Sequence, residues 1–311
     1  MQAARSDWCR LQKGCELLKK TRFHFLRYGI LVPVALWLLI FLILPYLNLF
    51  LYSFWTNGAF TVEKTFTLEN YLRFFTGDAS GGGQYTILLD TLKTSLTVTV
   101  VTVLISFPLA YFIQFVVKKA KTRKILYMMA IIPLWVSYIM RAYAWKIILG
   151  TNGVLNSFLM WLGVIDEPLS IFLYSNVSVI IAMVHIYTPY VMMPIYTALE
   201  QIPQNLTEAS RDLGCGGFRT LRKIIIPLAL PGIITGATYS FALSMGDFLA
   251  PSLLGGATTS TKIANIVQMQ FGTSNNWPYG AAIGIVILLF VLLLLELTSQ
   301  MEKRCAKLED N

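Results

Sequence analysis

Residues 28–55 read YGILVPVALWLLIFLILPYLNLFLYSFW and contain no charged side chain. The hydrocarbon core of a bilayer is roughly 30 Å thick, and an α-helix crosses it with about 20 predominantly apolar residues. The stretch is longer than this requirement. It is therefore predicted to cross a membrane as a helix.

Five further stretches have the same apolar character. They cover residues 94–117, 125–149, 177–199, 231–250 and 278–295. In the whole chain 56% of residues are hydrophobic and 13% are charged, whereas soluble domains average about 25% charged residues. This composition excludes an ordinary soluble enzyme and a disordered regulator. We predict an all-α membrane protein with six transmembrane helices.

The distribution of basic residues predicts the orientation of these helices. The segment before the first helix, the loops after the second and fourth helices, and the segment after the sixth hold nineteen of the 25 Lys and Arg residues. Because cytoplasmic loops are enriched in Lys and Arg, both termini are predicted to be cytoplasmic. This placement explains the net charge of +9 without nucleic acid as a partner. The lipid bilayer is the partner that the composition requires.

The same pattern divides the chain into three parts. Residues 1–27 form a basic cytoplasmic tail, residues 28–298 a six-helix transmembrane domain, and residues 299–311 a second cytoplasmic tail. The first helix lacks an A-x-A-like cleavage site, so we expect it to remain as a signal anchor. All four cysteines (Cys9, Cys15, Cys215 and Cys305) fall in predicted cytoplasmic segments, where thiols stay reduced. They lack metal-site spacing and are expected to be free.

Small residues and prolines within the spans predict how the helices pack. Gly232-x-x-x-Gly236 and Gly280-x-x-x-Gly284 have the spacing that lets two helices approach closely. Prolines inside apolar spans predict kinked helices. These are Pro108, Pro133, Pro189 and Pro194.

One predicted cytoplasmic loop, residues 200–231, has a composition of its own: EQIPQNLTEASRDLGCGGFRTLRKIIIPLALP. Pro203 suits the first turn of a helix, where its missing N–H costs nothing. Gly214, Gly216 and Gly217 are expected to reverse the chain through positive φ, and a second short helix then leads back into the membrane at Pro227. A helical protrusion with a charged tip suits docking to a cytosolic partner, although a solvated loop without a partner is the alternative.

The spacing within this loop resembles a known family motif. Glu208-Ala209-Ser210, then Gly214, Ile224 and Ile226-Pro227 are similar to the EAA motif of ABC-type importer permeases, EAA-x3-G-x9-I-x-LP. Ser210 and Ile226 are mild departures from it. The resemblance implies a type I ABC importer permease-like bundle whose loop docks on an ATPase subunit. The coupling residues that it implies are Glu208, Ala209, Arg211, Asp212 and Gly214.

Other stretches resemble the spermidine/putrescine permeases. They are residues 133–145, 149–156 and 241–256, together with Asn70-Tyr71-x-x-Phe74. The resemblance implies translocation of a polyamine in a bacterial inner membrane. Permeases for iron, opines or phosphonates share many of these features, so another small solute, including an amino-acid-like one, stays open as cargo.

The resemblance also implies the partners of the chain. They are a second homologous permease, in a heterodimer or a homodimer, an ATPase dimer that uses ATP and Mg²⁺, and an extracytoplasmic solute-binding protein. This chain itself has no Walker A loop, no H-E-x-x-H and no G-x-S-x-G. We therefore expect no cofactor, no metal and no catalytic residue in it. An ion-coupled secondary carrier is the rival transporter class, but it would need more intramembrane charge.

Polar residues within the spans are the candidates for a substrate pathway or gate. Asp247 either lines a pathway for a cation or caps a turn at the outer end of the fifth span. Arg141 either extends to the interface or pairs with Asp247 in an outer gate. Several aromatic residues could line a cation path or serve in packing: Trp135, Tyr138, Tyr143, Trp145, Tyr187 and Tyr190. His185 is expected to make a hydrogen bond between helices.

Overall fold

The computed structural model describes residues 32–58, 61–77, 83–169, 172–256 and 260–309, without the side chains of residues 204, 211 and 302–309. The predicted basic tail, Cys9 and Cys15 lie outside the described residues, as do the side chains of Arg211 and Cys305. Among the described residues, the regular structure is helical apart from one short hairpin.

The first third of the chain holds a long helix, the hairpin and a surface helix. Helix α1 spans Val32–Tyr52 and includes a π-helical turn at Leu39–Ile43. Strands β1 (Thr56–Asn57) and β2 (Val62–Glu63) pair antiparallel. Helix α2 (Glu69–Thr76) follows, and the Thr67 hydroxyl accepts a hydrogen bond from the Glu69 N–H at 3.1 Å, as expected of a residue at a helix start.

The central part is built from five helices. Their bounds are α3 Tyr85–Val116, α4 Ala120–Ile131, α5 Tyr138–Leu149, α6 Val154–Trp161 and α7 Asn176–Glu200. Helix α3 ends in a π-helical turn at Phe112–Val116, and a 3₁₀ turn at Ile132–Trp135 follows α4.

The last third also holds five helices. Their bounds are α8 Gln204–Asp212, α9 Gly217–Met245, α10 Leu249–Leu254, α11 Ile263–Phe271 and α12 Trp277–Glu309. Helix α9 contains a π-helical turn at Leu221–Ile225. The predicted tail 299–311 therefore begins as a continuation of α12 and not as a separate segment.

In the described residues, five helices are long and apolar enough to cross a membrane. A bent pair, Ala120–Trp135 with Tyr138–Trp161, makes the sixth span when it is counted as one. The predicted count is confirmed in these terms. The predicted third span, 125–149, is divided between two helices that meet at 93°.

The break in the third span has a local cause. Pro133 has no N–H for the helix ladder and its ring clashes with the preceding turn. The chain narrows to a 3₁₀ turn there, Val136 turns to extended backbone (ψ 132°), and α5 starts only at Tyr138. The kink that the proline predicted is thus a sharp bend between two helices.

The predicted fifth span, 231–250, is also displaced. Helix α9 begins at Gly217 and ends at Met245, and the short helix α10 starts at Leu249. The predicted second short helix of the loop 200–231 is therefore the N-terminal part of α9. Asp247 lies in the break between α9 and α10, outside the span to which the sequence assigned it.

Helix α7 is the centre of the bundle and packs between α3 and α9. Glycines permit the close approach of α9: a Cβ added at Gly232 would lie 2.5 Å from the Pro194 carbonyl oxygen, and one at Gly236 would lie 2.9 Å from that of Val191. The predicted close packing at this pair is confirmed. In the second pair, Gly280 packs tightly on α11, whereas Gly284 has its nearest neighbour 3.9 Å away on α1.

Candidate functional site

The loop between α7 and α9 is a helix closed by a glycine turn. Gly214 has φ +76°, in the left-handed region, and the Cys215 N–H donates to the Ser210 carbonyl oxygen at 3.0 Å. This is the Schellman arrangement, in which glycine follows the last helical residues. Of the three glycines predicted to need positive φ, only Gly214 adopts it, since Gly216 has φ −66° and ordinary extended backbone.

A hydroxyl pair joins the two sides of this turn. The Ser210 and Thr220 side chains are buried, and their oxygens lie 2.8 Å apart. Thr220 also donates to the Gly216 carbonyl oxygen at 3.3 Å. Ser210 is the position at which the EAA motif has alanine, so in this chain the departure supplies a cross-link at the base of the loop.

The tip of the loop presents apolar side chains to the exterior. Leu213 is 84% exposed and Phe218 is 78% exposed, and Leu206 is exposed as well. Glu208, Ala209 and Asp212 are exposed beside them. The face that Leu206, Ala209 and Leu213 share therefore does not pack on this chain. Large apolar side chains uncovered on one rigid protrusion are typical of a docking surface.

Two predicted cytoplasmic loops meet at the base of this protrusion. A cavity of about 550 Å³ is lined by Lys118 from the α3–α4 connection, by Arg123 at the start of α4, and by Thr207 and Glu208 from α8. The Arg123 guanidinium donates to the Gln114 side-chain oxygen at 3.2 Å. The two basic segments therefore lie at the same end of the bundle, in agreement with the orientation that the charges predict.

At the opposite end of α9, Asp247 joins three helices. One carboxylate oxygen accepts hydrogen bonds from the N–H groups of Leu249 and Ala250, at 2.9 and 3.2 Å, and so caps α10. The other oxygen accepts from the hydroxyls of Tyr187, at 2.6 Å, and of Tyr138. Asp247 is 8% exposed, and the four donors occupy about all the lone-pair positions that a carboxylate offers. We call Tyr138, Tyr187 and Asp247 the outer cluster.

Arg141 does not join the outer cluster through an ion pair. In the part of the chain that the structure describes, no salt bridge links it to Asp247, and its guanidinium donates to the Ile186 carbonyl oxygen at 3.1 Å. The side chain is buried, so it does not reach the interface either. The predicted Arg141–Asp247 pair is wrong because the two tyrosine hydroxyls take the carboxylate oxygen on that side.

The remaining predicted pathway residues lie apart from the outer cluster. Trp145 donates its indole N–H to the His185 Nδ1 atom at 3.1 Å, which confirms the predicted hydrogen bond of His185 between helices. Both side chains line an apolar cavity of about 460 Å³ beside α3. Tyr143 is exposed on α5 and contacts neither group.

Among the described residues, sequence reasoning missed an ion pair in which the lysine is buried and the aspartate is half exposed. Lys262 is 1% exposed, and its ammonium donates to the Asp90 carboxylate at 2.6 Å and to the Thr94 hydroxyl at 2.8 Å. The neighbouring Thr91 hydroxyl accepts from the Ile263 N–H at 3.0 Å, which caps α11 from α3. The spacing Asp90-Thr91-x-x-Thr94 on one helix face was the available signal, but a lone loop lysine gave no indication of its partner.

Comparison with known proteins agrees with this architecture. Residues 103–307 match the family described as binding-protein-dependent transport system inner membrane component. Over 266 residues the chain is 37% identical to the spermidine/putrescine transport system permease protein PotB of Escherichia coli (strain K12), covering 85% of this chain and 94% of that protein. The PotB of Haemophilus influenzae is 32% identical over 83% of this chain and 88% of its own length.

A solved structure is similar over most of the fold. It is a chain of the bacterial alginate ABC transporter in complex with an alginate pentasaccharide-bound periplasmic protein, with a TM-score of 0.72 over 92% of this chain and 96% of that chain. At 19% identity this likeness shows the fold alone, and it confirms the predicted type I ABC importer permease-like bundle. By the family match and by its relatives, the chain belongs to the inner membrane permease components of binding-protein-dependent ABC transport systems.

Proposed function

We propose that this chain is one of two permease subunits of an ATP-driven importer, and that it translocates a polyamine such as spermidine or putrescine. The assignment of a polyamine as the cargo rests on the similarity to the two PotB proteins along nearly their whole length. The chemistry of the chain agrees with a polycationic cargo, because tyrosine and tryptophan side chains are frequent on its helices and bind cations through their ring faces.

The ATPase subunit is proposed to bind at the loop between α7 and α9. The exposed Leu213 and Phe218 side chains would enter a cleft of that subunit beside Glu208, Ala209 and Asp212. Arg211 stays a predicted coupling residue. ATP and Mg²⁺ would be bound and used by the ATPase dimer. The turn at Gly214 and the Ser210–Thr220 pair give the protrusion a stiff base, so that movement of the partner is passed to α9.

The other partners follow from the same proposal. A second homologous permease would complete the pathway, and an extracytoplasmic binding protein would deliver the polyamine at the outer loops. We assign an outer gate to Asp247, Tyr187 and Arg141, since these buried polar groups hold α5, α7 and α9–α10 together at the outer end of the bundle. Trp145 and Tyr143 stay predictions for the pathway wall.

Uptake by the reconstituted complex tests this proposal. Proteoliposomes would contain the chain with its cognate permease, ATPase and binding protein, and the uptake of labelled spermidine and putrescine would be measured with and without internal ATP. We expect uptake only when ATP and the ATPase are both present. Uptake without the ATPase would point to a secondary carrier. ATP-dependent complexes that transport ferric iron or a phosphonate but no polyamine would refute the cargo.

A further inference from the structure

One face of helix α7 changes from buried to exposed halfway along its length. Residues that are alternately four and three positions apart lie on the same face of a helix. On α7 seven side chains form such a stripe: Val179, Met183, Ile186, Tyr190, Met193, Thr197 and Glu200. The first three are at most 1% exposed, whereas Tyr190 is 37% exposed and the three that follow it are exposed too. The predicted orientation makes the buried half the outer half.

Helices α5 and α10 cover the outer half of this stripe. Arg141 on α5 bonds the Ile186 carbonyl oxygen, and the Ser178 hydroxyl bonds the Leu254 carbonyl oxygen at 2.9 Å. The buried half of the stripe ends at the level of the outer cluster, where the Tyr187 hydroxyl donates to the Asp247 carboxylate. From Tyr190 onward the side chains of the stripe are exposed in the described chain.

The uncovered half carries polar chemistry in the middle of a membrane-spanning helix. The hydroxyl of Tyr190 has no hydrogen-bond partner among the described residues, and neither has that of Tyr239 on α9, which is 51% exposed. Gly236 fixes the contact between α9 and α7, and Tyr239 lies one turn further along, by helical position on the same side of that contact as Tyr190. An unsatisfied hydroxyl in hydrocarbon is costly.

Tyr46 on α1 also exposes its hydroxyl, but the residues one turn away from it are apolar. Tyr190, in contrast, lies on one face with Thr197 and the Glu200 carboxylate. A face that combines hydroxyls with a carboxylate indicates water or a polar ligand rather than lipid.

We propose that this inner face, formed by Tyr190, Met193, Thr197 and Glu200 of α7 with Tyr239 of α9, is the wall on which the cationic substrate rests before it leaves to the cytoplasm. The inference rests on the proposed function and extends it to a site. The tyrosine rings bind ammonium groups, and the Glu200 carboxylate pairs with the leading amine at the cytoplasmic end. The outer cluster closes the face toward the exterior.

Cysteine accessibility tests the site in the intact complex. In a background with the native cysteines replaced by serine, Tyr190→Cys, Thr197→Cys and Tyr239→Cys are each compared with Tyr46→Cys. Tyr46 is the matched control, because it is also 51% exposed and lies on α1, a span with no buried residue. Inside-out vesicles are treated with a cationic methanethiosulfonate reagent. Thiols react as thiolates, which form in water, so the three inner-face positions should react roughly tenfold faster than position 46.

Substrate protection tests the amine-binding part. Spermidine should slow the labelling of the inner-face cysteines several-fold, putrescine should slow it less, and neither should affect position 46. In otherwise wild-type complexes, Glu200→Gln should raise the KM for spermidine more than for putrescine. The control is Glu296→Gln, which removes an exposed carboxylate on α12 and should leave both values unchanged. The comparison of Glu200→Gln with Glu296→Gln still tests the site if a cysteine variant does not assemble.

The outcomes separate the two proposals. Labelling no faster than at position 46 would overturn the inner face as a pathway. Fast labelling without spermidine protection, in complexes that take up spermidine, would overturn the substrate contact. If wild-type complexes take up no polyamine, the proposed cargo fails and the amine contact with it, while fast labelling would still support an aqueous pathway at this face.

Discussion

At the scale of single residues, Asp247 shows how one carboxylate can organise the end of a bundle. Its two oxygens serve different purposes, since one caps α10 and the other receives hydroxyls from α5 and α7. Hydrogen bonds to charged groups contribute about 1.5–3 kcal/mol each to stability. The arrangement therefore favours the state in which the three helices are held together.

Replacing Asp247 distinguishes a structural role from a substrate contact. Asp247→Asn keeps an oxygen that can cap α10 but removes the negative charge. It also puts an amide NH₂ group where the second carboxylate oxygen accepts hydrogen bonds from the Tyr138 and Tyr187 hydroxyls. We expect a lower unfolding midpoint in detergent, a larger loss for Asp247→Ala, and uptake of spermidine and putrescine reduced by the same factor. The measurements are thermal unfolding and paired uptake assays. A selective loss of spermidine uptake with unchanged stability would instead support direct contact with the cargo.

At the scale of elements, the turn between α8 and α9 requires glycine at position 214 for its backbone conformation and not for lack of room for a side chain. A Cβ at Gly214 or at Gly216 would meet nothing within 4 Å, but only Gly214 has positive φ. A left-handed conformation costs an L-residue about 1–2 kcal/mol, and a β-branched side chain tolerates it least. The two glycines thus form a matched pair for mutagenesis.

We expect Gly214→Val to uncouple ATP hydrolysis from transport, because the tip that carries Leu213 would no longer be held in its orientation. Gly216→Val should have little effect on either rate. The ratio of polyamine molecules imported to ATP hydrolysed is the quantity to measure. Normal coupling in the Gly214 variant would show that the turn is not needed to transmit the movement.

The contact between α7 and α9 depends on space instead. A methyl group at position 232 would overlap the Pro194 carbonyl oxygen and the Ala198 side chain, each 2.5 Å away, whereas at position 284 the nearest atom is 3.9 Å away. We expect Gly232→Ala to push the helices apart and lower the unfolding midpoint, and Gly284→Ala to leave it unchanged. Equal midpoints for the two variants would mean that α7 and α9 adjust without strain.

At the scale of the whole molecule, the Lys262–Asp90 pair ties the outer end of α3 to the start of α11, across 172 residues of sequence. The two partners are unequal in environment, since Lys262 is 1% exposed and the Asp90 side chain is 50% exposed. A charge that loses its partner is costly only where water cannot reach it. The pair therefore predicts an asymmetry between its two single substitutions.

Asp90→Asn should destabilise the protein more than Lys262→Met. The first variant leaves a buried ammonium with neutral partners, while the second leaves a carboxylate that water can solvate and fills the site with an apolar side chain of similar length. Unfolding midpoints of both variants, measured at one pH and one salt concentration, check the order. The reverse order would indicate that Asp90 and not Lys262 is the desolvated partner in the assembled transporter.

Much of this fold could be predicted from local sequence. Long uncharged runs predict spans because hydrophobic matching to a bilayer needs only length and composition. The EAA spacing predicts the loop between α7 and α9 because a helix, a left-handed glycine and a second helix are encoded by neighbouring residues.

Only the tertiary structure decided how the polar groups are used. Asp247 takes partners 60 and 109 residues away, and Lys262 takes partners 168 and 172 residues away. Such choices depend on which helices pack and at what height, and a polar side chain carries no local sign of its partner. The change from buried to exposed along α7 is likewise set by neighbouring helices. The sequence by itself determined the spans and the helix–glycine–helix loop between α7 and α9. Packing determined the outer cluster and the exposed inner half of α7, because burial is a property of the assembled bundle.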